Sequence, residues 1–159
     1  MKKGLLILIL AALVAGGAFA IDMSAGGGLD LGLGFAKDVD TMITIGAYGF
    51  FDATYAEASV GFGYMLGDYS GLAFSIGVLG KFPIEISREI TVFPAAGITL
   101  SVPEFDFDYK SINLNIGGGL DYSLSRSMYI RGMLLYGTDF DAFFKAHSFT
   151  IRAGVGFRF

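Results

Sequence analysis

His147 is the only histidine in the chain and there is no cysteine, which settles most of the catalytic question at once. A Cys–His nucleophile and a His/Cys metal cluster both need residues the sequence does not hold. A Ser–His–acid arrangement could use only His147, with Asp139 or Asp141 as the acid, and His147 falls on the outward side of an alternating segment near its end. Asp106, Asp108, Asp139 and Asp141 could gather around Ca²⁺, but they lack EF-hand spacing and the glycine at its sharp turn, so they read as solvated acidic loops. Gly32-Leu33-Gly34 and Gly61-Phe62-Gly63 lie inside alternating segments rather than between a strand and a helix, which excludes a phosphate loop. No catalytic residue, metal or cofactor is assigned.

The remaining candidates are charges of both signs on one face of the alternating segments: Asp30, Glu57, Lys81, Asp121, Arg131 and Arg152, with Arg158 near a rim. Their neighbours on that face are mostly Gly, Ser and Asn. In the cleanest segment Ile112, Leu114, Ile116, Leu120, Tyr122 and Leu124 alternate with Ser111, Asn113, Asn115, Gly117, Gly119, Asp121 and Ser123. Period-2 alternation is the mark of a strand with two unlike faces. Such segments recur at 23–36, 41–52, 54–66, 70–82, 89–102, 110–124, 127–137 and 147–159, each at or above the roughly 9–11 residues a tilted strand needs to cross a bilayer. Eight strands, an even number, close a barrel with both termini at one end. The fold expected is all-β, an eight-stranded antiparallel up-and-down transmembrane β-barrel.

The two ends of the chain indicate which face is outside. Lys2 and Lys3, the apolar run Leu5 to Ala15 and the small-x-small site Ala18-Phe19-Ala20 form an export signal cleaved before Ile21, as for export by the general secretory route. The run breaks at Gly16-Gly17, short of the roughly 20 residues of a retained anchor. The division expected is 1–20 signal peptide and 21–159 barrel. Without cysteine there is neither a lipidated N-terminus nor a disulfide. At the other end Ile151, Ala153, Val155, Phe157 and Phe159 alternate with Arg152, Gly154, Gly156 and Arg158, as a strand reads when one face meets lipid and the other a polar lumen. A soluble barrel would turn the bulky face inward instead.

Composition narrows the class further. With 53% hydrophobic residues and 24 Gly against 3 Pro, the chain is too apolar for disorder and too rich in glycine for a helical bundle. A net charge of −4 without a basic patch excludes nucleic acid as partner. Beyond the first twenty residues no run holds the roughly 18 apolar residues of a spanning helix.

Aromatics on the apolar face sort by depth into two sets, as the interfaces of a bilayer require. Phe51, Phe82, Tyr122, Phe157 and Phe159 fall toward the end that carries the termini, and Phe35, Tyr64, Phe74, Tyr136 and Phe149 toward the other. Turns are expected at Asp52-Ala53, between Pro83 and Glu89 and at Ser125-Arg126, with loops at 37–40, 67–69, 103–109 and 138–146. Antiparallel pairing through those turns sets Glu57 near Lys81, and Arg131 near Arg152, with Asp121 and Asp30 flanking them. A charge in a narrow lumen must be paired, so these residues are expected to form a plug. Tyr48, Phe50, Met133 and Leu135 share the inward parity, so either an apolar cluster caps the lumen or a bulge shifts the register there. Pro94 poses a similar difficulty, since a closed barrel has no edge strand to excuse a missing donor.

The signal, the eight strands, the short turns and the run Ile151 to Phe159 together resemble the small eight-stranded outer-membrane barrels of the OmpX and OmpW type. The stretch Gly80-Lys81-Phe82-Pro83-Ile84, followed by Ile90-Thr91-Val92-Phe93-Pro94-Ala95-Ala96-Gly97-Ile98, resembles a turn-spanning pattern in spirochaete barrels. The resemblance implies residence in the outer membrane and periplasmic chaperones for the unfolded chain. It also implies recognition of the C-terminal signal Ile151, Ala153, Val155, Phe157 and Phe159 by the barrel assembly machinery. A non-enzymatic monomer with a mostly closed lumen and a structural or surface role is the first expectation. A narrow channel for small solutes or small apolar molecules is the second, and a secreted soluble barrel the third.

Overall fold

In the computed structural model, which describes residues 22–36, 39–67, 70–106, 108, 110–140 and 146–159, the chain winds into one closed antiparallel sheet. The expected signal segment 1–20 and Asp141 lie outside the described residues. The long strands are β1 (Met23–Ala36), β2 (Val39–Ala53), β3 (Ala56–Leu66), β4 (Gly71–Lys81), β6 (Ile90–Pro103), β7 (Ser111–Ser123), β8 (Met128–Asp139) and β9 (Ala146–Arg158), with a two-residue β5 (Ile84–Glu85) between the fourth and fifth of them. Each long strand pairs with its sequence neighbours, β4 with β6 directly, and β1 closes on β9 from Ser24↔Arg158 to Ala36↔Ala146. The all-β architecture expected from the periodicity is thus present, with one short strand more.

Local chemistry explains the turns at the end that carries the termini. The hydroxyl of Ser87 accepts hydrogen bonds from the backbone of Glu89 (3.2 Å) and Ile90 (3.1 Å). Ser125 does the same for Ser127 (3.3 Å) and Met128 (3.1 Å). Each serine adds side-chain acceptors to a turn that backbone bonds to the Ile90 and Met128 carbonyls also close. The first turn, however, is at Thr54–Tyr55, and Asp52 and Ala53, expected there, are the last residues of β2. Pro94 is tolerated because of where it faces. Its carbonyl accepts from the Phe82 backbone at 3.1 Å, so its missing donor points at the Phe82-Pro83 break, after β4 ends and before β5 resumes pairing at Ile84↔Val92.

Burial follows the alternation and inverts the order of a water-soluble protein. Leu29 is 68% exposed and Ile116 63%, whereas Arg131 is 0% exposed and Glu57 1%. In water so continuous an apolar surface would drive association; against hydrocarbon it is at no disadvantage. The inward parity holds through β2 and β8, where Tyr48, Phe50, Met133 and Leu135 are all buried in the lumen. The one register shift between β1 and β2 lies elsewhere, at Gly34/Ala36.

Glycine makes the narrow interior possible by standing opposite bulk. A Cβ on Gly119 would fall 2.5 Å from the Phe93 ring, one on Gly154 2.9 Å from the Tyr48 hydroxyl, and one on Gly156 inside the Tyr129 ring. On Gly97 it would strike the backbone carbonyl of Val78, which cannot rotate away. Outward-facing Gly132 has nothing within 4 Å of the same position. Gly97→Val is therefore expected to cost about 1–3 kcal/mol by overpacking and to deplete the compact band on an unheated gel, while Gly132→Ala leaves that band unchanged.

Candidate functional site: a charged plug between two vestibules

Arg131 projects from β8 into the lumen toward the end that carries the termini, fully enclosed. Asp121 stands directly opposite on β7 and takes the guanidinium fork in two bonds, Nε to Oδ1 at 2.7 Å and Nη2 to Oδ2 at 2.6 Å. The far side of the barrel supplies two more acids: Nη1 donates to Glu57 Oε2 and Nη2 to Asp52 Oδ2, both at 2.6 Å. Phe50, Phe93 and Tyr129 close the remaining approaches, their ring centres 4.9, 5.0 and 5.2 Å from the guanidinium carbon. Planar donors on carboxylates and a weakly hydrated cation against rings are the two contacts Arg makes best.

Around one cation three carboxylates would carry excess negative charge, and two further bases correct this. Lys81 Nζ donates to Asp52 Oδ2 at 2.6 Å and lies 5.0 Å above the Phe93 ring. Arg152 Nη1 stands 3.9 Å from Glu57 Oε1, its guanidinium 5.0 Å from the Tyr48 ring. Asp52, Glu57 and Asp121 are thereby matched by Lys81, Arg131 and Arg152. Toward the rim Arg158 donates to Ser123 Oγ at 3.0 Å and packs on Tyr129 at 4.7 Å, and Ser24 and Tyr129 share a hydrogen bond of 2.8 Å.

These partners differ from those inferred from neighbouring strands. Lys81 pairs with Asp52, not Glu57, and Asp52, assigned to a turn by sequence, is 4% exposed at the heart of the network. Glu57 lies between Arg131 and Arg152 as their shared acid. Asp30 is the Cα partner of Arg152, yet Arg152 pairs with Glu57 instead. The signal for Asp52 was available: it shares the parity of Tyr48 and Phe50. Phe93 likewise carries the inward parity of Ala95.

Two apolar clusters complete the plug, Leu79, Phe93, Ala95, Met133 and Leu135 in one and Tyr48, Phe50 and Tyr129 in the other. The lumen is therefore not uniformly polar. On the side of the termini a vestibule of about 660 Å³ reaches Asp52, Lys81 and Asp121. On the opposite side one of about 340 Å³ ends on Asp30, Leu135 and Arg152. Arg131 and Glu57 line neither.

On the outer surface ring pairs gather toward both ends. Phe35 and Tyr136 pack on Phe149 at 6.5 and 5.3 Å, and Phe74 on Phe62 at 5.1 Å, toward the mouth opposite the termini, where Tyr64 is also exposed. Phe51 meets Phe159 at 6.3 Å and Phe82 meets Tyr55 at 6.5 Å toward the other, with Tyr122 and Phe157 exposed beside them. At the mouth opposite the termini His147 is engaged as well, its Nδ1 bonded to Tyr136 OH at 2.7 Å. Ile151, Ala153, Val155, Phe157 and Phe159 face outward, and the Phe159 amide bonds the Met23 carbonyl at 3.1 Å.

No protein-family model and no curated protein matches the chain in sequence. Among solved structures it is similar to Neisserial surface protein A (TM-score 0.62, 11% identity, 86% of this chain and 97% of that one). It is also similar to Ail of Yersinia pestis (0.58, 12%, 89% and 100%) and to the N-terminal barrel domain of OprF from Pseudomonas aeruginosa (0.54, 15%, 86% and 97%). The fold is that of the small outer-membrane β-barrels.

Arg131→Met removes the one cation shared by three enclosed acids. It is expected to destabilise the barrel by about 3–5 kcal/mol, the cost of stranding buried charge, measured by urea unfolding in micelles. Adding Asp121→Asn to that variant should recover part of the loss, because Lys81 and Arg152 still hold Asp52 and Glu57.

Proposed function

We propose that the chain is an integral outer-membrane protein whose lumen is closed, serving a structural or surface role rather than transport or catalysis. The observation that carries the reading is the enclosed Arg131, held by four hydrogen bonds and absent from the lining of both vestibules. A solute crossing the barrel would have to separate that cation from three carboxylates in a medium of low dielectric. Eight strands leave an interior that side chains fill. The apolar outer surface with rings toward both ends supports lipid as the solvent of the barrel.

Biogenesis follows from the same reading: export through the signal at 1–20, escort by periplasmic chaperones, and recognition of Ile151 to Phe159 by the assembly machinery, giving a monomer. Ail has been solved with the heparin analogue sucrose octasulfate. In this chain β1 and β2 are joined across only residues 37–38, and β3 and β4 across 67–70, which leaves less room for recognition by loops. The narrow-channel reading requires the plug to rearrange.

Membrane fractionation with heat-modifiable migration should place the chain in the outer membrane as a compact barrel. In planar bilayers the purified protein is expected to pass no steady current. Discrete steps altered by Arg131→Ala would establish the channel instead.

A further inference from the structure

The recess opposite the termini has an unusual floor. Arg152 is 6% exposed and lines it, and its Nε has no hydrogen-bond partner. Its ion pair to Glu57 is long, at 3.9 Å. Asp30 stands across from it in register, also lines the recess, and rests its carboxylate against Gly46 rather than on the guanidinium. A buried donor left unsatisfied is costly, and Arg152 takes its ion pair from Glu57 rather than from the facing Asp30. Above them the wall is uncharged and hydrogen-bonding, with Asn113, Asn115 and Thr150 among its groups. The volume, about 340 Å³, falls in the range of small-molecule sites.

We propose that this recess binds a small zwitterionic solute of the α-amino acid kind, its carboxylate on the Nη groups of Arg152 and its ammonium on Asp30. A simple anion would meet the Asp30 charge and a simple cation that of Arg152. A sugar hydroxyl could bond either group but would compensate neither charge. A dipolar solute answers both and adds no net charge to a site of low dielectric.

The test is titration of the folded protein in micelles, following the Arg side-chain Nε–H resonances, that of Arg152 being assigned by its absence in Arg152→Lys. Glycine should give a saturable shift, with binding weakened about tenfold or more in Asp30→Asn, while acetate and methylammonium bind far more weakly. The proposal is overturned if acetate binds as tightly as glycine regardless of Asp30→Asn, which marks a plain anion site. It is equally overturned if glucose saturates the resonance, which marks a polyol cup, or if nothing does, which marks a recess for water. Because the wild-type comparison of ligands suffices, a variant that fails to fold does not obscure the result. Bilayer conductance does not enter the readout, so the closed lumen and the solute site stand or fall separately.

Discussion

An ion cannot stay buried without an opposite charge, and in this barrel that requirement converges on the guanidinium of Arg131. The small circumference keeps bulk water from its centre, so the cation on β8 is satisfied only by acids from β2, β3 and β7 together. Those acids are in place only when the sheet is closed in the observed register, because a slip of one residue would turn Asp121 or Glu57 to the outside. Register and charge pairing thus specify each other. The rings of Phe50, Phe93 and Tyr129 add packing where hydrogen bonds cannot reach, and the glycines facing the aromatics make room for them.

The sequence was most legible where one local rule repeats. Side-chain direction alternates along every strand, so Arg131, Glu57 and even Tyr48 and Met133 could be assigned inward from parity alone, and the strand limits fell within a few residues of those observed. Partner choice was less legible. Pairing through turns considers only adjacent strands, but in a narrow lumen Lys81 on β4 passes over β3 to reach Asp52 on β2, and Arg131 spans the interior to the opposite wall. Asp52 was misplaced because a polar residue at a strand end resembles a turn, and only its parity with Phe50 indicates otherwise. Pro94 is accounted for by the break at Phe82-Pro83, a feature of three dimensions that the sequence marks only as a second proline nearby.

The plug divides the interior into two recesses of different character. The one beside the termini borders on charges already engaged with each other, whereas the other ends on Asp30 and Arg152, the members of the set least occupied by protein partners. A closed lumen and an occupied recess are compatible, since binding at one mouth needs no passage to the other. The likeness to other small barrels extends to architecture, while the particular arrangement of charges belongs to this chain's own residues.

The lumenal charges are also unevenly divided along the polypeptide. Asp30, Asp52 and Glu57 outweigh Lys81 in the strands up to β4, and Arg131, Arg152 and Arg158 outweigh Asp121 in those from β6 onward. Each half-sheet, curling alone, would therefore present a concave surface of one sign to its complement. Mutual attraction would draw the halves together across the last open seam, and a mispaired dimer of two like halves would be penalised before any side chain had packed.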